Sequence, residues 1–369
     1  MNLIKYYTLK RILEKNADYN LIYGERSNGK TTAVLSYGLK DYIESGYKNQ
    51  MALIRRWEED YKGKNGQSMF DAIISLGWVE KWTKGMYNSI LYWSQRWFLV
   101  YYDDQGNKLK QAEEPFCIGF SITSEEHYKS TSYPNIKTIL FDEFITRSYY
   151  IPDEFVKFQN LLSTIIRLRD NVKIFMCGNT VNKYCPYFAE MGLTNVAKQT
   201  KGTIDVYEYG DTGLRVAVEY SDFDTKSKKS NKYFAFNNPK LQMIKSGSWE
   251  IAIYPHLPVK YKPKEIKYIY FIKFDRDLLQ CEVIYSEQIK SKFTYIHRKT
   301  TPIQEDNKQL VFDTETNVKR NYHRKITVAS DDLTRRLYSF FLKDKVFYQD
   351  NEVGEVVRNY IIWCKKESQ

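Results

Sequence analysis

The chain has few cysteines, and their placement excludes two kinds of scaffold. The five cysteines are Cys117, Cys177, Cys185, Cys281 and Cys364. Their number is odd, they are widely separated and no two form a C-x-x-C pair, so neither a structural zinc site nor a disulfide framework is indicated. We therefore expect reduced cysteines with a structural role.

Long hydrophobic runs are also missing. No apolar segment approaches the roughly 20 residues that a transmembrane helix needs. Residues 1–11 lack the apolar core and the cleavage site of a signal peptide. These absences predict a soluble, intracellular protein that has no membrane partner.

Basic residues outnumber acidic ones, 56 to 45, which gives the 369 residues a formal net charge of +11. Residues 241–369 hold 23 Lys and Arg against 17 Asp and Glu, so the C-terminal third is the denser positive region. A polyanion is the natural electrostatic partner of such a chain, although charge alone leaves an ordinary soluble basic surface open. The length and the 43% of hydrophobic residues are enough for about two domains with sizeable cores.

The first part of the chain has the pattern of a β-α-β unit. Residues 20–23 are a short apolar strand, the turn 24–29 follows, and apolar residues then recur at helical spacing as far as about Gly46. A second apolar strand, 51–54, leads into Arg55 and Arg56.

Further short apolar runs predict the rest of a buried sheet. They lie at 117–120, 136–141 and 172–177. Runs buried on both faces are typical of a parallel sheet covered by helices. Residues 89–116, rich in aromatic and β-branched residues around the turn 103–107, predict a β-hairpin inserted between core elements.

One motif carries a phosphate-binding chemistry. Residues 24–31 read Gly24-Glu25-Arg26-Ser27-Asn28-Gly29-Lys30-Thr31, which matches G-x-x-x-x-G-K-[ST] between a strand and a helix. The glycines let backbone N–H groups close around phosphates, and the start of the helix adds a favourable dipole. We expect residues 24–32, through Thr32, to bind ATP, with Lys30 on the β- and γ-phosphates and Thr31 on Mg²⁺. A chance glycine turn is the alternative.

Two acids end another apolar strand. Asp142 is expected to hold Mg²⁺ together with Thr31, and Glu143 to polarise the attacking water. The alternative is that both carboxylates only cap a following helix. Asn179 ends the next strand, where additional-strand P-loop ATPases have a polar sensor of the γ-phosphate, although an asparagine of a turn remains open.

Several of these segments together carry a family resemblance. They are 24–31, 52–57, 129–144 and 165–179, joined by 150–152, 182–188 and, faintly, 327–333. This set closely resembles the DNA encapsidation ATPases of picovirus-type small tailed podophages, well over about residues 5–190. By that resemblance Arg167 is a trans-acting arginine finger and Lys129 a second trans-acting base; charged surface is the alternative for both.

The resemblance also implies an architecture and partners. The fold class is α/β, with a P-loop NTPase domain of the additional-strand type at 1–206, a small linker region at 207–247 and an α+β, RNase H-like domain at 248–369. In the last domain we expect strands at 269–272 and 280–285 and helices at 333–342 and 353–363. The implied assembly is a homo-oligomeric ring, a pentamer by the family pattern, on the portal of a capsid, acting on double-stranded DNA and possibly joined by a structural RNA. It would work in the host cytoplasm, transiently docked on the viral prohead.

A nuclease in the C-terminal domain would need three or four carboxylates converging on two metal ions. The candidates Asp275, Asp277, Asp313 and Glu315 are sparse and interspersed with basic residues. We therefore expect this domain to bind nucleic acid or portal without cutting.

The sequence thus predicts an ATPase that translocates double-stranded DNA into a preformed capsid, with ATP and Mg²⁺ at its site. Three other functions stay open at this point: a ring translocase or helicase not tied to a capsid, a small-molecule P-loop kinase, and a nucleotide-gated binding module without turnover.

Overall fold

In a computed structural model of the chain, the described residues are 7–147, 150–222, 254–257, 259–328 and 331–366. They form two compact units, Met1–Glu250 and Ile251–Gln369. Within these ranges, no helix has both the length and the apolar character that spanning a bilayer requires.

The first unit contains a mixed sheet and several helices. Its strands are β1 (Tyr19–Gly24), β2 (Gln50–Arg55), β3 (Ser89–Trp93), β4 (Arg96–Tyr102), β5 (Lys108–Gln111), β6 (Cys117–Ser121), β7 (Ile136–Asp142), β8 (Lys173–Asn179), β9 (Ile204–Tyr209) and β10 (Leu214–Tyr220). Its helices are α1 (Lys10–Leu13), α2 (Lys30–Glu44), α3 (Lys64–Ser68), α4 (Asp71–Ser75), α5 (Trp78–Trp82), α6 (Glu154–Ile166) and α7 (Pro186–Glu190).

The strand order is β3-β4-β6-β2-β7-β8-β1-β10-β9, with β5 paired to β4. The six strands from β6 to β10 in this order run parallel to one another. Strand β8 lies between the P-loop strand β1 and the acidic strand β7, which is the insertion that defines the additional-strand class. The predicted α/β, P-loop NTPase fold is confirmed.

The six parallel strands of this sheet are buried on both faces over most of their length, which explains why they are apolar without alternation. In β1, Leu21 and Tyr23 belong to one core, which also contains residues of α6 and α7. Ile22, between them, points to a second core built with α2, α4 and the β4 strand. Because β1, β8 and β7 are parallel neighbours, their carboxyl ends lie at the same edge of the sheet, next to the start of α2.

Two interpretations of the sequence are corrected here. The segment 89–116 is not a single hairpin, because β3, β4 and β5 form three antiparallel strands at the edge of the large sheet. The linker was expected to begin at residue 207, but β10 pairs with β1 and with β9, so 204–220 completes the first sheet. In the sequence, Glu219 resembles an exposed polar residue of a linker. In the structure it is buried and accepts a hydrogen bond from the Tyr7 hydroxyl. The remainder of the expected linker, 223–247, lies outside the described residues.

The second unit is built on a separate sheet. Its elements are β11 (Ile266–Phe274), β12 (Asp277–Ser286), β13 (Ser291–Arg298), β14 (Val311–Asp313), β15 (Tyr322–His323), α8 (Asp332–Leu342), β16 (Val346–Tyr348) and α9 (Asn351–Lys366). The order is β15-β14-β11-β12-β13-β16, with an antiparallel β11-β12-β13 meander and β14 parallel to β11. A meander extended beside its first strand by parallel strands agrees with the predicted RNase H-like class.

Candidate active site

The phosphate-binding loop is shaped by two glycines. Gly24 has φ of +151°, and a Cβ there would lie 2.9 Å from the Ser221 Oγ, so only glycine lets the loop leave β1 this close to the end of β10. Gly29 has φ of +90° immediately before α2 begins at Lys30. The loop therefore delivers its backbone N–H groups and the positive end of a 15-residue helix to the same place.

Lys30 is buried within this loop and its ammonium group contacts three oxygens. Its Nζ donates to the Glu25 carbonyl at 2.5 Å, to Asn28 Oδ1 at 3.1 Å and to Asn179 Oδ1 at 3.4 Å. The last contact joins the P-loop to the end of β8. Asn28 is itself held by Ser221, whose Oγ accepts from its Nδ2 at 2.9 Å. The predicted sensor residue and the P-loop lysine are thus brought together.

Asp142 closes the site from the end of β7. The Thr31 hydroxyl donates to Asp142 Oδ1 at 2.7 Å, and Arg55 Nη1 donates to Oδ2 at 2.8 Å. Burial raises the pKa of the Asp142 carboxyl, while the Arg55 charge and the Thr31 hydrogen bond act in the opposite direction. A carboxylate and a hydroxyl in contact beside a phosphate loop are oxygen donors of the kind that Mg²⁺ takes from a protein.

Glu143 follows with φ of +58°, a left-handed conformation that is uncommon for a residue with a side chain. Its side chain is exposed, and Arg55 Nη2 donates to its Oε2 at 3.1 Å. Arg55 thereby contacts both acids of the motif. The sequence predicts only that this arginine follows a strand, and its contact with Glu143 depends on the fold.

A buried ion pair fixes the backbone at Glu143, and sequence reasoning missed it. Arg56 donates to both carboxylate oxygens of Glu154, at 2.9 Å from Nε and 2.9 Å from Nη2. The same guanidinium donates to the carbonyls of Glu143, at 3.2 Å, and Phe144, at 3.0 Å. The Tyr187 hydroxyl also donates to Glu154, at 2.9 Å. Nothing local marks Glu154, because it looks like an ordinary acid in the first turn of a helix.

The P-loop, the two acids and the end of β8 line one cavity of about 340 Å³. Its lining brings together most of the residues predicted from the sequence: Arg26, Ser27, Asn28, Gly29, Lys30, Thr31, Thr32, Asp142, Glu143 and Asn179. Glu25 stands beside it, with its carbonyl on Lys30 and its carboxylate accepting from Lys201 Nζ at 2.9 Å. The cavity lining is polar and contains the cations Arg26 and Lys30, which suit phosphate oxygens, as well as the acids Asp142 and Glu143.

Arg167 and Lys129 do not join this cavity. Arg167 follows α6, is exposed, and donates from Nη2 to the Thr131 carbonyl at 3.0 Å. Lys129 lies two residues before Thr131 and pairs with Glu126 at 2.6 Å. Arg167 precedes β8, whereas the nucleotide site is at the far end of that strand, and seven residues at about 3.3 Å each span roughly 20 Å. Arg167 therefore lies at the opposite end of β8 from the P-loop, and neither cation lines the nucleotide cavity.

Comparisons with known proteins agree on one family of phage proteins. The description "Podovirus DNA encapsidation protein (Gp16)" matches residues 115–362, which is more than half of the chain. The DNA packaging protein of Bacillus phage PZA is 24% identical over 339 residues, covering 88% of this chain and 90% of that protein. The DNA packaging protein of Bacillus phage phi29 is 23% identical over the same length, with the same coverage.

Solved structures agree on the fold. A chain of the bacteriophage Phi-29 viral genome packaging motor assembly matches with a TM-score of 0.55 and 19% identity, over 99% of both chains. A chain of the Phi-28 gp11 DNA packaging motor matches with a TM-score of 0.51 and 19% identity, over 98% of both. The family match covers more than half of the chain and includes Asp142, Glu143 and strand β8. The chain therefore belongs to the podovirus DNA encapsidation protein family.

Proposed function

We propose that this chain is the ATP-hydrolysing subunit of a ring motor that moves double-stranded DNA into a preformed capsid. One observation carries the proposal: Lys30, the Thr31–Asp142 pair and Glu143 converge on a single cavity at the carboxyl edge of the sheet. A DNA encapsidation protein needs an energy source, and this arrangement is suited to phosphoryl transfer from a nucleoside triphosphate to water.

Each group has a role in that reaction. Lys30 exchanges its present oxygen partners for the β- and γ-phosphates of ATP, and the N–H groups at the start of α2 bind the remaining phosphate oxygens. Thr31 and Asp142 are the residues that would hold Mg²⁺, since they are hard oxygen donors and leave the other positions to water and phosphate. When bound, the metal ion neutralises charge that develops on the phosphate oxygens.

Glu143 is the group that orients the attacking water and accepts its proton. The Arg56–Glu154 pair holds its left-handed backbone through the Glu143 carbonyl, and Arg55 Nη2 donates to the carboxylate at 3.1 Å. Arg55 neutralises both carboxylates in the present arrangement. Asn179, in contact with Lys30, is positioned to hydrogen-bond the γ-phosphate or the water.

The active site is completed by a neighbouring subunit in this proposal. Arg167 and Lys129 are both exposed and lie outside the nucleotide cavity of their own chain, which suits cations that act on the nucleotide of an adjacent copy. The solved phi29 structure, one chain of which aligns over 99% of the length of this chain, is a viral genome packaging motor assembly. A homo-oligomeric ring, pentameric by the family pattern, on a capsid portal in the host cytoplasm follows as part of the proposal, with a structural RNA as a possible further component.

The second unit is proposed to bind DNA or portal without cutting. Asp313 and Glu315 share the Lys273 ammonium, with Nζ 3.1 Å from Asp313 Oδ2 and 3.4 Å from Glu315 Oε2. Asp277 pairs with Arg298. In the part of the chain that the structure describes, no three His, Cys, Asp or Glu residues are grouped so as to hold a metal ion. The Lys273 ammonium thus lies between Asp313 and Glu315, where a nuclease would hold a metal ion.

We expect the full chain to leave supercoiled plasmid intact in Mg²⁺ or Mn²⁺ while binding duplex DNA with an affinity that falls steeply with salt. The net positive charge would act mainly on phosphates and release counterions. Agarose gels and a salt titration of DNA binding measure the two effects. Metal-dependent nicking that disappears in an Asp313→Asn variant would overturn the assignment.

The test of the motor itself is the ATPase rate as duplex DNA and empty, portal-bearing proheads are added separately and together. We expect the rate to rise most when both are present, and labelled DNA to become protected from nuclease inside the capsid. Stimulation by DNA alone, unchanged by proheads, would favour a translocase or helicase not tied to a capsid. ATP loss that needs a small phosphate acceptor would indicate a kinase, and binding without turnover would indicate a gated binding module.

A further inference from the structure

A second cavity, of about 690 Å³, begins where the phosphate site ends. The two share Gly29 and Thr32 as lining residues. From there the second cavity continues along one side of α2, past Ser36 to Lys40. These positions recur every four residues and so lie on one helix face, about 12 Å from Thr32 to Lys40 at 1.5 Å per residue. The phosphate loop is therefore continuous with an elongated groove.

The far wall of this groove is aromatic. Trp78 and Trp82 lie one turn apart on α5, and their rings are stacked with centroids 5.2 Å apart and an interplanar angle of 25°. Both are only partly buried, although they pack against the core beneath them, so indole surface remains open to the groove. Partly open, parallel indoles provide an apolar surface for a planar ring.

Another part of the groove lining is attached to the P-loop. Residues 7–9 line it, the Tyr7 backbone N–H donates to the Asn28 carbonyl at 3.2 Å, and the Tyr7 hydroxyl is bound to Glu219. Among the described residues that line the groove, Lys40 alone is charged, and no carboxylate or amide side chain takes part. The lining is therefore suited to an uncharged, largely apolar group that follows the phosphates.

We infer that this groove binds the nucleoside of the triphosphate, with the purine base against the Trp78–Trp82 wall and the ribose beside Thr32 and Ser36. The inference rests on the proposed function, since it assigns the part of the same substrate that lies beyond the phosphates. Base stacking on aromatic side chains is sequence-tolerant and strong enough to matter for affinity. The tryptophans are thus binding residues that set how tightly a nucleotide is held, and they take no part in the chemistry.

The experiment compares ATP with inorganic triphosphate, which has the phosphates and no base. In the full chain, Trp82→Leu is expected to raise KM for MgATP about tenfold, because stacking on one indole is lost. The inhibition constant of triphosphate as a competitor and the kcat at saturating ATP should stay within about twofold. The matched control is Trp93→Leu, since Trp93 ends β3, is 66% exposed and lies outside the groove lining.

A second variant guards against misfolding of the short α5 helix. Ser36→Phe places a ring into the groove from the α2 side and should also raise KM for ATP while leaving triphosphate inhibition unchanged. Unchanged KM for ATP in both Trp82→Leu and Ser36→Phe would overturn the groove assignment and leave the proposed ATPase intact. A wild-type chain that binds neither ATP nor triphosphate would instead remove the proposed function itself.

Discussion

Replacing Arg167 by alanine is expected to lower ATP turnover by roughly 10³–10⁵-fold, the range found for arginine fingers, while ATP binding stays close to normal. The guanidinium would neutralise charge spreading over the γ-phosphoryl oxygens in the transition state, so its loss affects the rate far more than the affinity. Because Arg167 lies before β8, away from its own P-loop, we expect it to act on the nucleotide of a neighbouring subunit of the proposed ring. Arg96→Ala, at an exposed arginine that begins β4, is the matched control and should retain full turnover.

Mixing two inactive variants tests whether Arg167 acts between subunits. Glu143→Gln should bind MgATP and hydrolyse it about 10²–10⁴-fold more slowly, because the amide cannot accept a proton from water. A mixed ring can pair an intact Glu143 site with an intact Arg167 from the next subunit, so part of the ATPase activity should return. If mixed assemblies form, as judged by two different affinity tags, and activity stays absent, Arg167 acts within its own subunit or only supports the loop at Thr131.

Loss of the Lys30 ammonium is expected to abolish turnover and to weaken nucleotide binding. The Lys30→Ala chain keeps the glycines and the helix start, but it lacks the positive charge that lies among the Glu25, Asn28 and Asn179 oxygens. The Arg26 guanidinium also lines this cavity, but no other described side chain contributes an ammonium to it.

The measurements are the steady-state ATPase rate and the rise in thermal midpoint with MgATP. Lys30→Ala should show neither activity nor a ligand-induced rise, with a midpoint in the absence of ligand near that of the wild type. Lys48→Ala, at an exposed lysine beyond the end of α2, controls for the removal of charge and should behave as wild type. Normal turnover in Lys30→Ala would eliminate the P-loop as the catalytic site.

The parts of the site that could be predicted are those encoded within a few residues. The P-loop has a fixed spacing because one turn of chain must wrap one phosphate group, and Asp142 and Glu143 follow directly on an apolar run. Parallel strands then bring such ends to the same edge of the sheet, which places Asn179 beside Lys30 without further information.

What could not be predicted depends on contacts between distant residues. Arg56 and Glu154 are 98 residues apart, and Asn28 and Ser221 are 193 apart. Each of these polar side chains alone is indistinguishable from surface polarity, and only the fold shows that it is buried and paired. The same limit produced the error at 207–220, where a strand between two neighbours has charged residues in its sequence.

Strand β10 has a mechanical consequence. It is held on one side by five register pairs with β1 and on the other by six with β9, and it ends at Tyr220, next to the residue whose hydroxyl accepts from Asn28. A force applied along β10 loads both ladders in shear, so all their hydrogen bonds resist together, whereas a sideways force would open them in turn. Strand β10 is therefore held more strongly along its axis than across it, and the Asn28–Ser221 hydrogen bond links its end to the phosphate loop.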